Sequence, residues 1–132
     1  MTPAPAVQGL VYIPRLRLGI GWVRFMVDTG ASNTCLHGTV VLALQNRMRQ
    51  STLTYSRGVG GRGAYYKERA VVILVEENRN PLPFIIDLRI QCVEPEGLEQ
   101  PPNPSLLGRD ILQNFDLRVN LRTGLVRLNK IP

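Results

Sequence analysis

Apolar and polar residues alternate along much of this chain, which is the pattern of half-buried β-strands. Polar, glycine-rich and proline-rich segments lie between the alternating runs and mark the ends of the predicted strands. Pro14 lies inside the first run and favours a sheet edge or a bend there, because proline lacks a backbone N–H. The pattern predicts strands over residues 10–18, 22–27, 34–36, 53–56, 64–68, 70–75, 83–93, 106–108, 115–121 and 125–129.

Other segments predict turns and helices. Gly19 and Gly21 predict the turn between the first two strands. Residues 40–48 have apolar residues at helical spacing and predict a helix, and residues 109–114 predict a second helix of about two turns. Residues 94–104 contain four prolines and three acidic residues, and they predict a loop. The chain is therefore expected to be all-β, with one or two short helices.

The length of 132 residues is typical of a single domain with one hydrophobic core, and we expect one domain over 1–132 with a flexible N-terminal segment at 1–9. No apolar stretch is long enough to span a membrane. The N-terminus also lacks the charged and apolar regions of a signal peptide. We therefore expect a cytoplasmic location and no membrane partner.

The net charge of +6 comes almost entirely from fourteen arginines, which are scattered along the sequence. Scattered arginines on strands are more typical of a solvated outer face than of a nucleic-acid patch, so no nucleic-acid partner is expected. The charge leaves open a long-range attraction for acidic substrates or partners.

The residues that bind metals or act as nucleophiles are few. Cys35 and Cys92 are 57 positions apart, and neither has another cysteine or a histidine at metal-ligand spacing. Two buried thiols and a disulfide are both open interpretations. His37 is the only histidine, and without a serine or cysteine nucleophile motif it is expected to be structural or at the surface. The sequence predicts no metal and no cofactor.

Three segments carry the candidate chemistry. In residues 25–32 an apolar strand delivers Asp28 and breaks at Gly30, which places a carboxylate at the rim of a sheet. Residues 57–63 are rich in glycine and predict a hairpin tip, since glycine adopts positive φ freely. They lack the Lys-Ser/Thr or dinucleotide spacing of a phosphate loop. Residues 105–112 form a third segment, an apolar pair followed by Gly-Arg-Asp.

The first segment resembles the active-site loop of the retropepsin-like aspartic proteases, and all three occur in the order found in that family. The resemblance covers roughly residues 10 to 129. It implies the retropepsin-like acid protease fold, in which residues 57–63 are the tip of a flap hairpin. It also implies an aspartic endopeptidase that uses water as the nucleophile to hydrolyse a peptide or protein substrate.

The resemblance assigns Asp28 as the catalytic residue. Since Asp-Thr-Gly occurs once in the chain, a protease of this kind requires a second aspartate from another chain, and we expect a homodimer through the active-site loops. The other assigned residues are Thr29, Gly30, Ala31 and Ser32 in the active-site loop, Gly58, Val59, Gly60 and Gly61 in the flap, and Leu106, Leu107, Gly108 and Arg109 as supporting residues.

Ser32 is a departure from many retroviral enzymes, which carry an acidic residue at this place that pairs with the arginine of the third segment. The partner of Arg109 is therefore expected to be Asp110, another acid or a residue of the second chain. Two other functions are weighed against the protease. One is a catalytically weak dimerisation or binding module with the same fold, and the other is an arginine-mediated nucleic-acid binder, which the spacing of aromatic residues does not support.

Overall fold

The protein is described by a computed structural model that covers residues 4–48, 53–58, 61–92 and 104–132. In these ranges the chain is mostly strand, with two 3-10 helices at Pro14–Leu16 and Gly38–Arg47 and one short α-helix, α1, at Arg109–Leu112. The strands are β1 (Ala6–Ile13), β2 (Leu18–Val27), β3 (Cys35–Leu36), β4 (Leu53–Gly58), β5 (Gly61–Val75), β6 (Pro81–Gln91), β7 (Ser105–Leu107), β8 (Phe115–Asn120) and β9 (Leu125–Lys130). The expected all-β class is confirmed.

Seven strands form one sheet in the order β1-β2-β7-β3-β6-β5-β4, and β1 also pairs with β5, so the sheet closes on itself. Strand β7 lies between β2 and β3, parallel to the first and antiparallel to the second. This central insertion brings the third chemical segment beside the first. Strands β8 and β9 form a separate antiparallel hairpin, as the alternation predicted.

The core is built from the inward faces of the long strands. On β2, Val23 and Phe25 are buried, and on β6 every second residue from Ile86 to Ile90 is buried. Each such side chain contributes about 1.5–3 kcal/mol by leaving water. This packing fixes the register of β2, and the register in turn fixes the position of the residue that follows it.

The first turn differs from the prediction at Gly19 and Gly21. The chain turns at Pro14–Leu16, and Arg17 closes the turn with a left-handed φ of 49°. Proline is favoured at this position because its fixed φ suits the start of a helical turn. Gly19 and Gly21 instead pair with β1 inside β2, where the register shifts and Gly21 has a φ of 90°. Gly19 and Gly21 therefore lie at a bulge of the β1–β2 pairing and do not form the turn.

Both predicted helices are found near the expected positions, but the first is a 3-10 helix and the second is shorter than predicted. The segment predicted at 40–48 is a 3-10 helix over Gly38–Arg47, with Val41 and Leu44 buried at the three-residue period of that helix. The second helix is one turn long, since α1 ends at Leu112 and residues 113–114 form a turn that leads into β8.

Other boundaries also shift. Strand β1 begins at Ala6, so residues 6–9 of the expected flexible segment are paired with β2 instead. The two strands predicted at 64–68 and 70–75 are one continuous strand, β5. Of the predicted loop at 94–104, only residue 104 belongs to the described residues.

Candidate active site

Asp28 follows directly on the last residue of β2 and is half-buried. Its position is set by the parallel pairing of β2 with β7, which is extended by a hydrogen bond from the Asp28 N–H to the Leu107 carbonyl at 3.1 Å. Leu107 is fully buried, so this anchor is part of the core. The two segments that the resemblance named as catalytic loop and supporting strand therefore lie side by side.

Gly30 holds the carboxylate of Asp28. Its backbone N–H donates a 2.9 Å hydrogen bond to Asp28 Oδ1, and a Cβ at this position would lie 3.1 Å from the same oxygen. A larger residue would therefore crowd the carboxylate that the backbone orients. Ala31 completes the turn with an N–H to the Asp28 carbonyl at 3.2 Å, and Thr29 and Ser32 are exposed at the loop surface.

Arg109 binds the loop through its backbone carbonyls. The guanidinium of Arg109 donates to the Thr29 carbonyl at 2.9 Å. The backbone N–H of Arg109 donates to the Ala31 carbonyl at 2.8 Å. No carboxylate of the described residues lies within salt-bridge distance of Arg109. The expected pairing with Asp110 or another acid of the same chain is therefore not present among these residues.

Asp110 instead binds Thr34, which is fully buried. Its Oδ1 accepts from the Thr34 hydroxyl at 2.7 Å, and its Oδ2 accepts from the Thr34 N–H at 3.0 Å. The same hydroxyl oxygen accepts from the Gly108 N–H at 3.1 Å. This network fastens the end of the active-site loop to the start of α1. Sequence reasoning did not assign a site role to Thr34 or Asp110, because nothing local links two residues 76 positions apart.

Gly108 is the point of closest approach between the two segments. A Cβ added there would lie 2.5 Å from the Asn33 carbonyl carbon and 2.6 Å from its oxygen. These are backbone atoms that cannot move aside as the end of a flexible side chain can. The contact explains why a glycine follows the apolar pair of β7.

His37 joins three segments next to this loop. Its backbone N–H donates to the Ser105 hydroxyl oxygen at 3.1 Å, and its ring nitrogens contact the Pro104 carbonyl and the Tyr65 hydroxyl, both at 2.8 Å. A carbonyl can only accept, so Nδ1 carries a proton and donates to Pro104, while Nε2 shares its hydrogen bond with the Tyr65 hydroxyl. His37 is buried, and its contacts support the expected structural role.

Cys35 is the first residue of β3 and a free thiol, and Cys92 is free as well. Burial, with the negative charge of Asp110 as a second cause, raises the pKa of Cys35 from 9.0 to about 11. The thiol is therefore protonated near neutral pH and is a poor nucleophile. Asp28 remains the candidate catalytic residue of the active-site loop.

The glycine-rich hairpin is formed by β4 and β5. The two strands pair antiparallel out to Gly58 and Gly61. The other two assigned flap residues, Val59 and Gly60, lie outside the described residues. The supporting residues Leu106 and Leu107 are in place on β7.

Two cavities lie against the C-terminal hairpin and not over Asp28. They have volumes of about 470 and 690 Å³, and the larger one is bordered by the β5–β6 turn and by β9. In the described ranges, no group of three or more His, Cys, Asp or Glu residues is arranged to hold a metal ion. No helix within the same ranges has the length and hydropathy needed to cross a membrane.

Comparisons with known proteins complete this picture. The family model of the retroviral aspartyl protease matches residues 12–120 of the chain. Six chains of solved structures give significant matches. One is the EIAV protease complexed with the inhibitor HBY-793, with a TM-score of 0.45 and 21% sequence identity over 84% of this chain and 86% of that chain. A search of curated proteins finds no significant match.

Proposed function

Since the chain belongs to the retroviral aspartyl protease family, we propose that it is an aspartic endopeptidase that acts as a homodimer, with Asp28 of each chain as the catalytic residue. The observation that carries the proposal is the geometry of Asp28. The residue stands at the end of a core strand, half-buried, with one carboxylate oxygen held by the Gly30 N–H. An acid placed in this way is oriented and still accessible to water.

Hydrolysis requires one group that removes a proton from water and another that protonates the leaving nitrogen. Two carboxylates a few ångströms apart cannot both ionise, so they hold one proton between them and perform both tasks. Their titration belongs to the pair and not to either residue. No metal and no covalent intermediate is needed for this chemistry.

The second carboxylate comes from a second copy of the chain, because Asp-Thr-Gly occurs only once in the sequence. A two-fold axis that passes between two Asp28 side chains supplies an identical partner. The exposed Thr29 side chain is then free to contact the partner loop, while Arg109 holds the Thr29 carbonyl in its own chain. Dimerisation would complete the active site.

The substrate would be an extended peptide. The hairpin of β4 and β5, with Gly58, Val59, Gly60 and Gly61 at its tip, would act as the flap and pair with the peptide backbone. Ala31 and Ser32 would line the site beside Asp28, and β7 with Arg109 would keep the loop in position. The free thiols of Cys35 and Cys92 fit a reducing compartment such as the cytoplasm.

The test compares wild type with Asp28→Asn on a peptide library between acidic and neutral pH. Asp28→Asn should reduce cleavage by about 10³-fold or more while circular dichroism and sedimentation stay unchanged. Asp87→Asn is the matched control, because it makes the same chemical change at an exposed carboxylate on β6. Full activity of Asp28→Asn would overturn the proposal.

Mixing experiments separate a shared active site from a single-chain one. At equal amounts of wild-type and Asp28→Asn chains, random pairing leaves about one quarter of the dimers with two aspartates. Activity at fixed total protein should therefore fall to about one quarter of the wild-type value. A fall to one half would mean that each chain acts alone. Absence of cleavage by the wild type, with a stable dimer, would favour the catalytically weak module.

A further inference from the structure

The outer face of the sheet carries an apolar stripe, defined here as Trp22, Leu10, Ile73 and Pro83 in one row and Tyr12, Val71 and Ile85 in the next. The register makes the members of each row direct neighbours. Leu10 pairs with Trp22 on one side and with Ile73 on the other, and Ile73 pairs with Pro83. Tyr12 pairs with Val71, which pairs with Ile85. The stripe thus crosses β2, β1, β5 and β6 at right angles.

The stripe is exposed, although its composition is that of a core. Trp22 is 57% exposed, Ile85 is 68% exposed and Tyr12 is 40% exposed. The intervening Leu10, Val71 and Ile73 are half-buried. The inward neighbours on the same strands, such as Val72 and Leu88, are buried, so the core does not depend on the stripe. A connected apolar surface of this kind is typical of an interaction site.

Positive charge borders the stripe on the same face. Arg69 lies in the row next to the stripe, Lys67 and Arg89 form the row beyond it, and Arg24 flanks Trp22 on β2. The only acid in these positions, Asp87, is paired with Arg69 at 3.4 Å. The acids Glu76 and Glu77 follow β5 at the opposite end of the stripe and line the cavity beside the C-terminal hairpin. The border therefore attracts negative charge.

At the centre of the stripe β1 pairs with β2 and β5, and β5 pairs with β1 and β6, so these two strands are hydrogen-bonded on both sides. A partner that covers this centre cannot add a strand to β1 or β5 and must bind there through side chains. Strand spacing gives the stripe a length of about 15 Å and a width of about 7 Å, which matches two to three turns of one helix. Sheets commonly pack against amphipathic helices through such faces.

We propose that this stripe binds an acidic amphipathic helix of a partner protein, whose apolar face covers Trp22, Tyr12 and Ile85 and whose carboxylates meet Arg24, Lys67, Arg69 and Arg89. A second copy of this chain is a poor occupant, since two copies of the stripe would bring their cationic borders together. The proposal does not depend on the protease activity.

Trp22 is the only tryptophan in the chain, so its fluorescence reports on the stripe alone. The probes are 16-residue helical peptides without tryptophan, with one leucine stripe flanked by glutamate, by lysine or by a scrambled order. We expect the glutamate peptide to shift the Trp22 emission to shorter wavelength with saturable binding. The lysine and scrambled peptides should produce no saturable shift, and added salt should weaken the glutamate peptide.

Variants locate the binding by anisotropy of the labelled glutamate peptide. Ile85→Ser and Arg69→Glu should each weaken binding by about tenfold or more, and neither side chain belongs to the core. Leu125→Ser is the matched control, because Leu125 is another exposed apolar residue, 56% exposed, and lies on β9. Equal binding of all three peptides, or no effect of Ile85→Ser, would overturn the proposal. A Trp22 shift caused only by rising protein concentration or only by anionic lipid vesicles would overturn it too.

Discussion

The hydroxyl of Thr34 donates a 2.7 Å hydrogen bond to the carboxylate of Asp110, across 76 residues of sequence. The same oxygen accepts the Gly108 N–H, so one buried side chain joins the active-site loop to the strand and helix that support it. The position of Asp28 therefore depends on a contact between two residues that lie outside the Asp-Thr-Gly motif. The following predictions test this support and the groups around it.

Removal of the Thr34 hydroxyl should destabilise the protein. Thr34→Val keeps the shape but leaves the buried Gly108 N–H without its acceptor and Asp110 without one donor. The expected loss is about 2 kcal/mol in the free energy of unfolding, measured by urea denaturation at fixed protein concentration. Thr34→Ser retains the hydroxyl and should lose less than about 1 kcal/mol. Equal losses for the two variants would contradict this role.

Gly108→Ala should be among the more damaging single-methyl additions. The new Cβ would meet the Asn33 backbone at 2.5 Å, so the loop or α1 must move. We expect a loss of about 3 kcal/mol or more, or failure to fold, measured by thermal unfolding. Gly19→Ala is the control, because its Cβ meets no atom within 4 Å. It should change stability by less than about 0.5 kcal/mol.

Arg109→Ala should reduce cleavage more than stability. The side chain is exposed, so its loss should cost less than about 1 kcal/mol, but the Thr29 carbonyl loses the donor that orients the catalytic loop. Peptide cleavage should fall roughly tenfold, since small displacements of catalytic groups are costly. Arg109→Lys should recover part of the activity, and exposed Arg118→Ala should leave cleavage unchanged. A full-activity Arg109→Ala would remove the positioning role.

Alkaline pH should destabilise the protein through Cys35. The pKa of the folded thiol is raised from 9.0 to about 11, so the folded state holds the proton more tightly than the unfolded state. This contribution is fully present below pH 9 and is lost between pH 9 and 11, and its size is about 3 kcal/mol. Urea denaturation between pH 9 and 11 should show that the free energy of unfolding falls more steeply with pH for wild type than for Cys35→Ala. Parallel pH profiles would show that the thiol contributes nothing.

The two ion pairs of the described residues should contribute differently to the free energy of unfolding. Glu68 is 5% exposed and binds Arg15, which also donates to the Arg47 carbonyl at 2.8 Å, whereas Arg69 and Asp87 are both exposed. Glu68→Gln should cost about 2 kcal/mol because it leaves a partly buried guanidinium unpaired. Asp87→Asn should cost less than about 1 kcal/mol. Urea denaturation of both variants measures the two losses in the free energy of unfolding. Equal losses would contradict the prediction.

Much of the fold follows from local pattern. Alternation over two residues predicted the buried face of β2 at Val23 and Phe25, the β6 face and the C-terminal hairpin, because the direction of a side chain on a strand depends only on its neighbours. Proline and glycine chemistry was less decisive. The turn formed at Pro14 and not between Gly19 and Gly21, since pairing with β1 absorbed both glycines into a bulge.

The sequence by itself determined that Asp28 follows a core strand and that a glycine-rich hairpin and an apolar Gly-Arg-Asp segment come after it. Only the tertiary structure decided that Asp110 binds Thr34, that Arg109 binds the loop carbonyls, and that Trp22 and Ile85 share one surface. These relationships depend on which strands become neighbours and in which register. That choice is made by packing of the whole core, and no spacing along the chain records it.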